Sequence, residues 1–197
     1  MQILDPIFLI QTVGLVGVMA IIFAESGLFF GFFFPGDSLL FTAGLLASQG
    51  YFHFGTLLIG SIVAAILGDS VGYWFGKKIG PRIFTREDSF FFKKRHVERT
   101  KLFYERHGKK TIILARFIPI VRTFAPILAG VGEMQYKTFL PYNITGGILW
   151  VMLMLASGFF LGRIIPDIDR YILPIILCIV IVSVAVPVIV SRFQKKL

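Results

Sequence analysis

The chain has 197 residues, of which 56% are hydrophobic and 16% charged, and its mean hydropathy is +0.80. A soluble domain of this size could not cover so much apolar surface with so few charges, so the composition excludes an ordinary soluble globular protein. The net charge of +9 is concentrated in residues 77–110, which carry 12 Lys and Arg against 4 Asp and Glu. Because positive residues collect on the cytoplasmic side of membrane proteins, this segment indicates orientation rather than a nucleic-acid site.

The first two apolar segments differ in kind. Residues 3–24 predict a transmembrane helix that ends before Glu25 and is retained rather than cleaved as a signal peptide. Residues 28–48 are equally apolar but contain Pro35 and Asp37 near their centre. Proline removes a backbone donor and a charge at mid-bilayer is costly, whereas a chain that turns back at that depth accommodates both. This segment therefore predicts a re-entrant helical hairpin.

The later segments repeat this alternation. Residues 55–76 predict a second crossing, and the basic segment 77–110 follows it. Residues 111–130 are again apolar with an interior Pro119, so they predict a second re-entrant hairpin. The third and fourth crossings are predicted at residues 138–162 and 171–191.

Residues 1–197 thus predict one all-α polytopic membrane domain with four spanning helices and two re-entrant hairpins. The basic segment on the cytoplasmic side and four crossings place both termini in the cytoplasm. An internal repeat supports this plan, because hairpin followed by crossing, duplicated and inverted, is the architecture of many secondary transporters. A shift of 86 residues superposes Gly44 on Gly130, Gly60 on Gly146, Gly72 on Gly158 and Gly76 on Gly162.

Four charged residues within the apolar segments are the main functional candidates: Glu25, Asp37, Arg116 and Arg122. An ionisable group at membrane depth is costly unless it is paired or hydrated, which makes it a functional candidate. The forked guanidinium suits a phosphate, so we expect the two arginines to bind a substrate phosphate. The two carboxylates are expected to couple protons or to gate. The structural alternative is that all four form buried ion pairs that hold the hairpins together. Glu25 alone could instead be an interfacial residue at a helix end, and Asp37 could cap the second half-helix of its hairpin.

Two further polar residues are accessory candidates. Asp69 could contact the cytoplasmic mouth of a pathway or be a paired carboxylate, and Asn143 could form an inter-helix hydrogen bond. The three histidines lack metal-ligand spacing, and Cys178 is the single cysteine, so no metal site is predicted. Enzyme and nucleotide-binding motifs are absent from the sequence, which predicts neither an enzyme nor a bound cofactor.

Several motifs together resemble the DedA family, also called the SNARE-associated or VTT-domain family. They are Glu25 ahead of FPGD at residues 34–37, GDSVGYWFGKKIG at 68–80 and RFIPIVRTFAPILAG at 116–130. The likeness covers roughly residues 15–165. It implies a polytopic membrane protein with two facing re-entrant hairpins.

The resemblance also implies functional residues and a function. The family's acidic pair falls on Glu25 and Asp37, and its arginine pair on Arg116 and Arg122. Family members often have Glu where this chain has Asp37. Bacterial members are associated with proton-dependent envelope homeostasis and with the return of undecaprenyl phosphate across the cytoplasmic membrane, and eukaryotic relatives are lipid scramblases.

The expected function is translocation of an anionic lipid carrier, such as undecaprenyl phosphate, across the prokaryotic cytoplasmic membrane with proton coupling. The expected partners are the lipid substrate, protons, anionic membrane lipids and further copies of the chain in a homo-oligomer, without nucleic acid. The alternatives are a general phospholipid scramblase, a proton-coupled exporter of small cations, and a membrane scaffold for other proteins.

Overall fold

The computed structural model describes residues 6–27, 36–85 and 110–164. All regular structure within these ranges is α-helical, as predicted. The predicted crossing at residues 171–191 and most of the basic segment 77–110 lie outside the described residues. The helices are α1 (Pro6–Gly27), α2 (Gly36–Ser48), α3 (Phe54–Thr85), α4 (Thr111–Ala115), α5 (Pro119–Val131) and α6 (Tyr136–Ile164).

Helices α3 and α6 have the length and composition to cross a membrane, over Phe54–Ile79 and Tyr136–Ile164. At 1.5 Å per residue these stretches are about 39 and 44 Å long, which exceeds a hydrocarbon core of about 30 Å. The predicted crossings at 55–76 and 138–162 fall on these two helices.

The outer face of α3 is apolar while its buried face carries polar groups, the reverse of a helix on a soluble protein. Four exposed aliphatic residues recur every fourth position and so form one stripe. The buried polar side chains on the same helix are Ser61, Asp69 and Ser70. This arrangement is typical of a helix that faces lipid on one side and a polar interior on the other. The stripe consists of Ile59, Val63, Leu67 and Val71.

The first helix continues further than predicted. We predicted that residues 3–24 end before Glu25, but α1 runs through Glu25 to Gly27. Glu25 is only 2% exposed, and its carboxylate has an ion-pair partner, so its charge does not require a helix end. A Cβ on Gly27 would lie 2.8 Å from the carbonyl oxygen of Gly68, so this glycine allows close helix packing rather than a break.

The first predicted hairpin is described only in its second half. Residues 28–35 lie outside the described part of the chain, and α2 begins at Gly36. Asp37 lies in the first turn of α2, where a carboxylate complements the positive end of the helix dipole. The re-entrant shape of residues 28–48 stays a prediction.

The helix in the second predicted hairpin is broken near the expected position. Helix α4 ends at Ala115, Ile118 is extended with φ −111° and ψ 108°, and α5 begins at Pro119. Proline disfavours helical geometry in the residue before it and is well suited to the first helical position, which explains both features. Whether the chain turns back within the bilayer here stays a prediction.

The chain divides into two compact units. Among the described residues, the first unit contains 6–21, 36–61 and 151–164, and the second contains 22–27, 62–85 and 110–150. In the first unit α2 packs closely on α6, since a Cβ at Gly44 or at Gly158 would overlap the backbone of the other helix. In the second unit α3 packs on α5 in the same manner through Gly76 and Gly130.

These contacts give the glycine repeat a structural meaning. Gly44 and Gly130 are matched positions, and each lies on a short helix that packs against a long one. Gly158 approaches Phe41, whereas its matched residue Gly72 approaches Ile127, 86 positions further along the chain. In both halves a short helix therefore packs on a long one through a matched glycine, while the inverted orientation of the two copies stays a prediction.

An aromatic core joins α3 to the segments after the basic stretch. Tyr73 is fully buried and stacks on Phe139, with ring centres 4.9 Å apart. Its hydroxyl donates a hydrogen bond to the carbonyl oxygen of Met134 in the turn before α6. Ile112 and Ala129 complete this cluster, so α4 and α5 are both held against α3.

Gly76→Ala is expected to destabilise the protein, because the new methyl group would overlap the Ile127 carbonyl and overpacking costs about 1–3 kcal/mol. Gly17→Ala is the matched control, since a Cβ there meets no atom within 4 Å and alanine is the better helix former. The thermal unfolding midpoint in detergent should fall for the first variant and stay or rise for the second. Equal midpoints would contradict the close approach of α3 and α5.

A re-entrant segment at residues 111–130 predicts that both of its ends face the same side of the membrane. In a Cys178→Ser background, which contains no other cysteine, Lys110→Cys and Glu133→Cys place single thiols at exposed positions. A membrane-impermeant maleimide should label both from the cytoplasmic face of oriented vesicles. Labelling of the two sites from opposite faces would show a straight crossing and remove the hairpin.

Candidate functional site

The first buried charge pair joins Arg116 to Asp69. Arg116 follows the last residue of α4 and is 5% exposed, and Asp69 lies in the middle of α3 and is 4% exposed. Nη2 of Arg116 donates a hydrogen bond to Oδ2 of Asp69. A charge removed from water requires such a partner, so this pair fixes the end of α4 against α3.

Asn143 of α6 is the second partner of Arg116. Its Oδ1 accepts a hydrogen bond from Nη2 of the arginine, and its Nδ2 donates one to the carbonyl oxygen of Ile66 at 3.1 Å. The amide is fully buried. The inter-helix hydrogen bond that we predicted for Asn143 is therefore present, and it links α6 to α3.

Two glycines on α6 make room for the Arg116 side chain. A Cβ at Gly146 would lie 2.9 Å from Cδ of Arg116. A Cβ at Gly147 would lie 3.6 Å from Cζ of the same arginine and 3.2 Å from a side-chain carbon of Ile66. A side chain at Gly146 would therefore crowd Arg116, and one at Gly147 would mainly crowd Ile66.

The second buried charge pair joins Arg122 to Glu25. Arg122 lies in the first turns of α5, and Nη2 of its guanidinium donates a hydrogen bond to Oε1 of Glu25 in α1. Cζ of Arg122 also lies 4.9 Å from the ring centre of Trp150, over the indole. A desolvated cation–π contact of this kind is worth roughly 2 kcal/mol. Arg122 thus contacts both a carboxylate and an aromatic ring.

In the second unit, three buried side-chain polar atoms have no hydrogen-bond partner among the described residues. They are Oε2 of Glu25, Nε of Arg116 and Oγ1 of Thr123. Buried polar groups in proteins are normally satisfied by protein atoms or by water, and an unsatisfied one indicates a water or ligand position. The interior of the second unit therefore offers polar atoms to a small polar group.

The predicted site residues are distributed unequally. Glu25, Arg116 and Arg122 lie in the second unit, but the two arginines are in separate pairs. Arg116 pairs with Asp69, an accessory candidate in the sequence. Asp37 lies in the first unit at the start of α2. Among the described residues no group of three His, Cys, Asp or Glu side chains could hold a metal ion.

Apart from Asn143, sequence reasoning missed the contribution of α6. Asn143, Gly146, Gly147 and Trp150 are spaced at i, i+3, i+4 and i+7, so they lie on one face of the helix. We call this face the α6 stripe. All four residues contact or make room for the two arginines. The spacing was visible in the sequence, but it did not indicate that the partners would be arginines.

These features define the class of protein: a helical membrane protein whose membrane-embedded helices carry buried, paired charges. Comparison with known proteins agrees, because the VTT domain family matches residues 34–160. The chain is 44% identical to Protein DedA of Escherichia coli K12, over 89% of this chain and 80% of that protein. No solved structure is significantly similar to this chain.

Other relatives extend the comparison. An uncharacterized membrane protein of Mycobacterium leprae is 43% identical, over 97% of this chain and 87% of its own length. Inner membrane protein YqjA of E. coli is 31% identical, over 74% of this chain and 66% of that protein. The chain belongs to the DedA family of VTT-domain membrane proteins, which confirms the resemblance and the membrane location. Membership implies a membrane transporter or flippase-type role.

The Arg116–Asp69 pair predicts strong coupling between the two residues. Asp69→Asn or Arg116→Gln alone leaves one buried charge without its partner, a change that costs about 3–5 kcal/mol in proteins. Asp69→Asn should be the more damaging single change, because an arginine stays charged while a lone carboxylate can take up a proton. The double variant should be more stable than Asp69→Asn.

Reversible unfolding of the four proteins in detergent measures this coupling as a double-mutant cycle. If the loss in the double variant equals the sum of the two single losses, the pair does not contribute as a unit. Arg163→Gln is a suitable control, since this arginine lies at the exposed end of α6.

Proposed function

We propose that this protein is a proton-coupled transporter of an anionic lipid phosphate across the prokaryotic cytoplasmic membrane, with undecaprenyl or another polyprenyl phosphate as the substrate. The observation that carries the proposal is the buried Glu25–Arg122 pair between α1 and α5. A guanidinium binds carboxylates and phosphates with the same forked donors. Glu25 therefore occupies the Arg122 guanidinium that a substrate phosphate would bind.

Exchange of the two anions supplies the proton coupling. When Glu25 takes up a proton, it loses its charge and its hold on Arg122 weakens. The phosphate then replaces the carboxylate on the guanidinium, and loss of the proton restores the original pair. Because an uncompensated buried charge is strongly unfavourable, this exchange keeps Arg122 paired with an anion at both stages.

Arg116 is the second phosphate ligand in this proposal. Its Nη2 is occupied by Asp69 and Asn143, whereas its buried Nε has no partner among the described residues and can donate to a phosphate oxygen. Asp37, at the start of α2, serves as the second coupling or gating carboxylate. The isoprenoid tail remains in the bilayer beside the apolar outer faces of the helices.

The proposed orientation places both termini and the basic segment 77–110 at the cytoplasmic face, with four crossings and two re-entrant hairpins. The 12 Lys and Arg of that segment would attract anionic lipid headgroups to the cytoplasmic mouth. The same proposal includes assembly into homo-oligomers. Both charge pairs form within a single chain.

Transport of a fluorescent polyprenyl phosphate in proteoliposomes tests the proposal. Arg122→Ala should lower the rate about tenfold or more, because a hydrogen bond to a charged group contributes roughly 1.5–3 kcal/mol. Glu25→Gln mimics the protonated carboxyl, so it should still bind the phosphate while transport loses its response to a pH gradient. Arg163→Ala, which removes an exposed arginine, should leave the rate unchanged.

The same assay separates the alternatives. Unchanged transport after collapse of the proton gradient would identify a scramblase instead. Proton flux driven by a small cation in the absence of lipid phosphate would identify a cation exporter. Full activity of both Arg116→Ala and Arg122→Ala would exclude these residues from the mechanism.

A further inference from the structure

Trp150 is a buried aromatic residue whose partner is a charge. It is 2% exposed and is among the largest fully enclosed side chains of the described residues. Its ring centre lies 4.9 Å from Cζ of Arg122. An ordinary core tryptophan packs against apolar groups, whereas this indole presents its π-face to the guanidinium that pairs with Glu25.

The physics of the contact differs from that of the ion pair. A cation above an aromatic ring is attracted by the negative ring face, so the contact restrains the guanidinium without a carboxylate. Glu25 and a phosphate compete for the N–H donors, but neither competes for the ring face. The contact with Trp150 can therefore persist while the anions exchange.

The rest of the α6 stripe places Trp150 in context. Asn143 accepts a hydrogen bond from Arg116, and the two glycines at 146 and 147 leave space for the arginine side chain. Trp150 lies under Arg122. One helix face thus supports both arginines at spacings of three and four residues. This arrangement places both arginines against one face of α6.

We propose that Trp150 is a positioning residue for Arg122, which keeps the guanidinium in place during the exchange of Glu25 for a lipid phosphate. The proposal rests on the proposed function and goes beyond it, because an aromatic ring, rather than an anion, restrains Arg122 while one anion replaces the other. Loss of the ring should weaken phosphate binding more than it slows the transport step.

Kinetics in proteoliposomes provide the first test, with Trp150→Leu and Trp150→Phe. Trp150→Leu should raise the KM for the labelled polyprenyl phosphate about tenfold, and Trp150→Phe, which keeps an aromatic face, should raise it only about twofold. The maximal rate per folded protein should change less than the KM in both. A packing role alone would reduce the unfolding midpoint of both variants while leaving the KM equal.

The chain offers a matched control in its other tryptophan. Trp74 is 51% exposed and lies 5.2 Å from the ammonium of Lys77, so it makes a cation–π contact without a buried arginine. Trp74→Leu removes an indole and a cation–π contact of the same kind, and it should leave the KM unchanged. An equal rise in KM for Trp74→Leu and Trp150→Leu would contradict a specific role for Trp150.

Fluorescence provides a second test that does not depend on transport. The chain has two tryptophans, so Trp74→Phe leaves Trp150 as the single indole. In phosphatidylcholine nanodiscs, farnesyl phosphate should shift the fluorescence emission of Trp150, whereas neutral farnesol should not. Arg122→Gln, introduced into the Trp74→Phe variant, should abolish the shift. An equal shift with farnesol would overturn the proposal.

The outcomes distinguish the two proposals. If the unaltered chain transports no lipid phosphate, the proposed function fails, and the fluorescence titration still decides whether Trp150 reports an anion at Arg122. If the unaltered chain transports and folded Trp150→Leu keeps the same KM, only the role of Trp150 fails. If Trp150→Leu does not fold, Trp150→Phe and the titration supply the decision.

Discussion

A charge buried in apolar surroundings must have a partner, and this requirement organises the second unit of the structure. Two arginines near the broken segment between α4 and α5 each meet a carboxylate from a different long helix: Arg116 meets Asp69 of α3, and Arg122 meets Glu25 of α1. Because an unpaired buried charge is strongly destabilising, these pairs determine which helices lie together around the break.

The pairs can form only where the helices approach closely, and glycines provide that approach. Gly27 of α1, two residues after Glu25, contacts Gly68 of α3. Gly76 of α3 contacts Ile127 of α5. In the first unit Gly44 brings α2 onto α6 by the same means. Each of these glycines allows contact with the backbone of another helix, and two of them, Gly44 and Gly76, belong to the glycine repeat.

Each arginine has a further contact besides its carboxylate. Arg116 donates to both Asp69 and Asn143, and its side chain passes against Gly146. Arg122 has a carboxylate on one side and the face of Trp150 on another, and the second oxygen of that carboxylate has no partner in the described segments. Each arginine is therefore held by a carboxylate and by at least one side chain of α6.

The sequence by itself determined the class of protein, because mean hydropathy, charge clustering and the break at Pro119 follow from composition and local backbone chemistry. It also singled out Glu25 and the two arginines, since a charge within an apolar segment is conspicuous in any sequence. It misjudged the end of α1, because a polar residue that ends a helix and one that is paired within it look the same until the partner is known.

Only the tertiary structure decided the pairing. The sequence offered several acids to two arginines, and the choice of Asp69 for Arg116 and Glu25 for Arg122 depends on contacts between residues 47 and 97 positions apart. The contact between Trp150 and Arg122 was hidden for the same reason, since a lone tryptophan in a spanning helix is usually an anchor or a packing residue. Local sequence fixes which residues are expensive to bury, and three-dimensional packing alone selects the groups that compensate them.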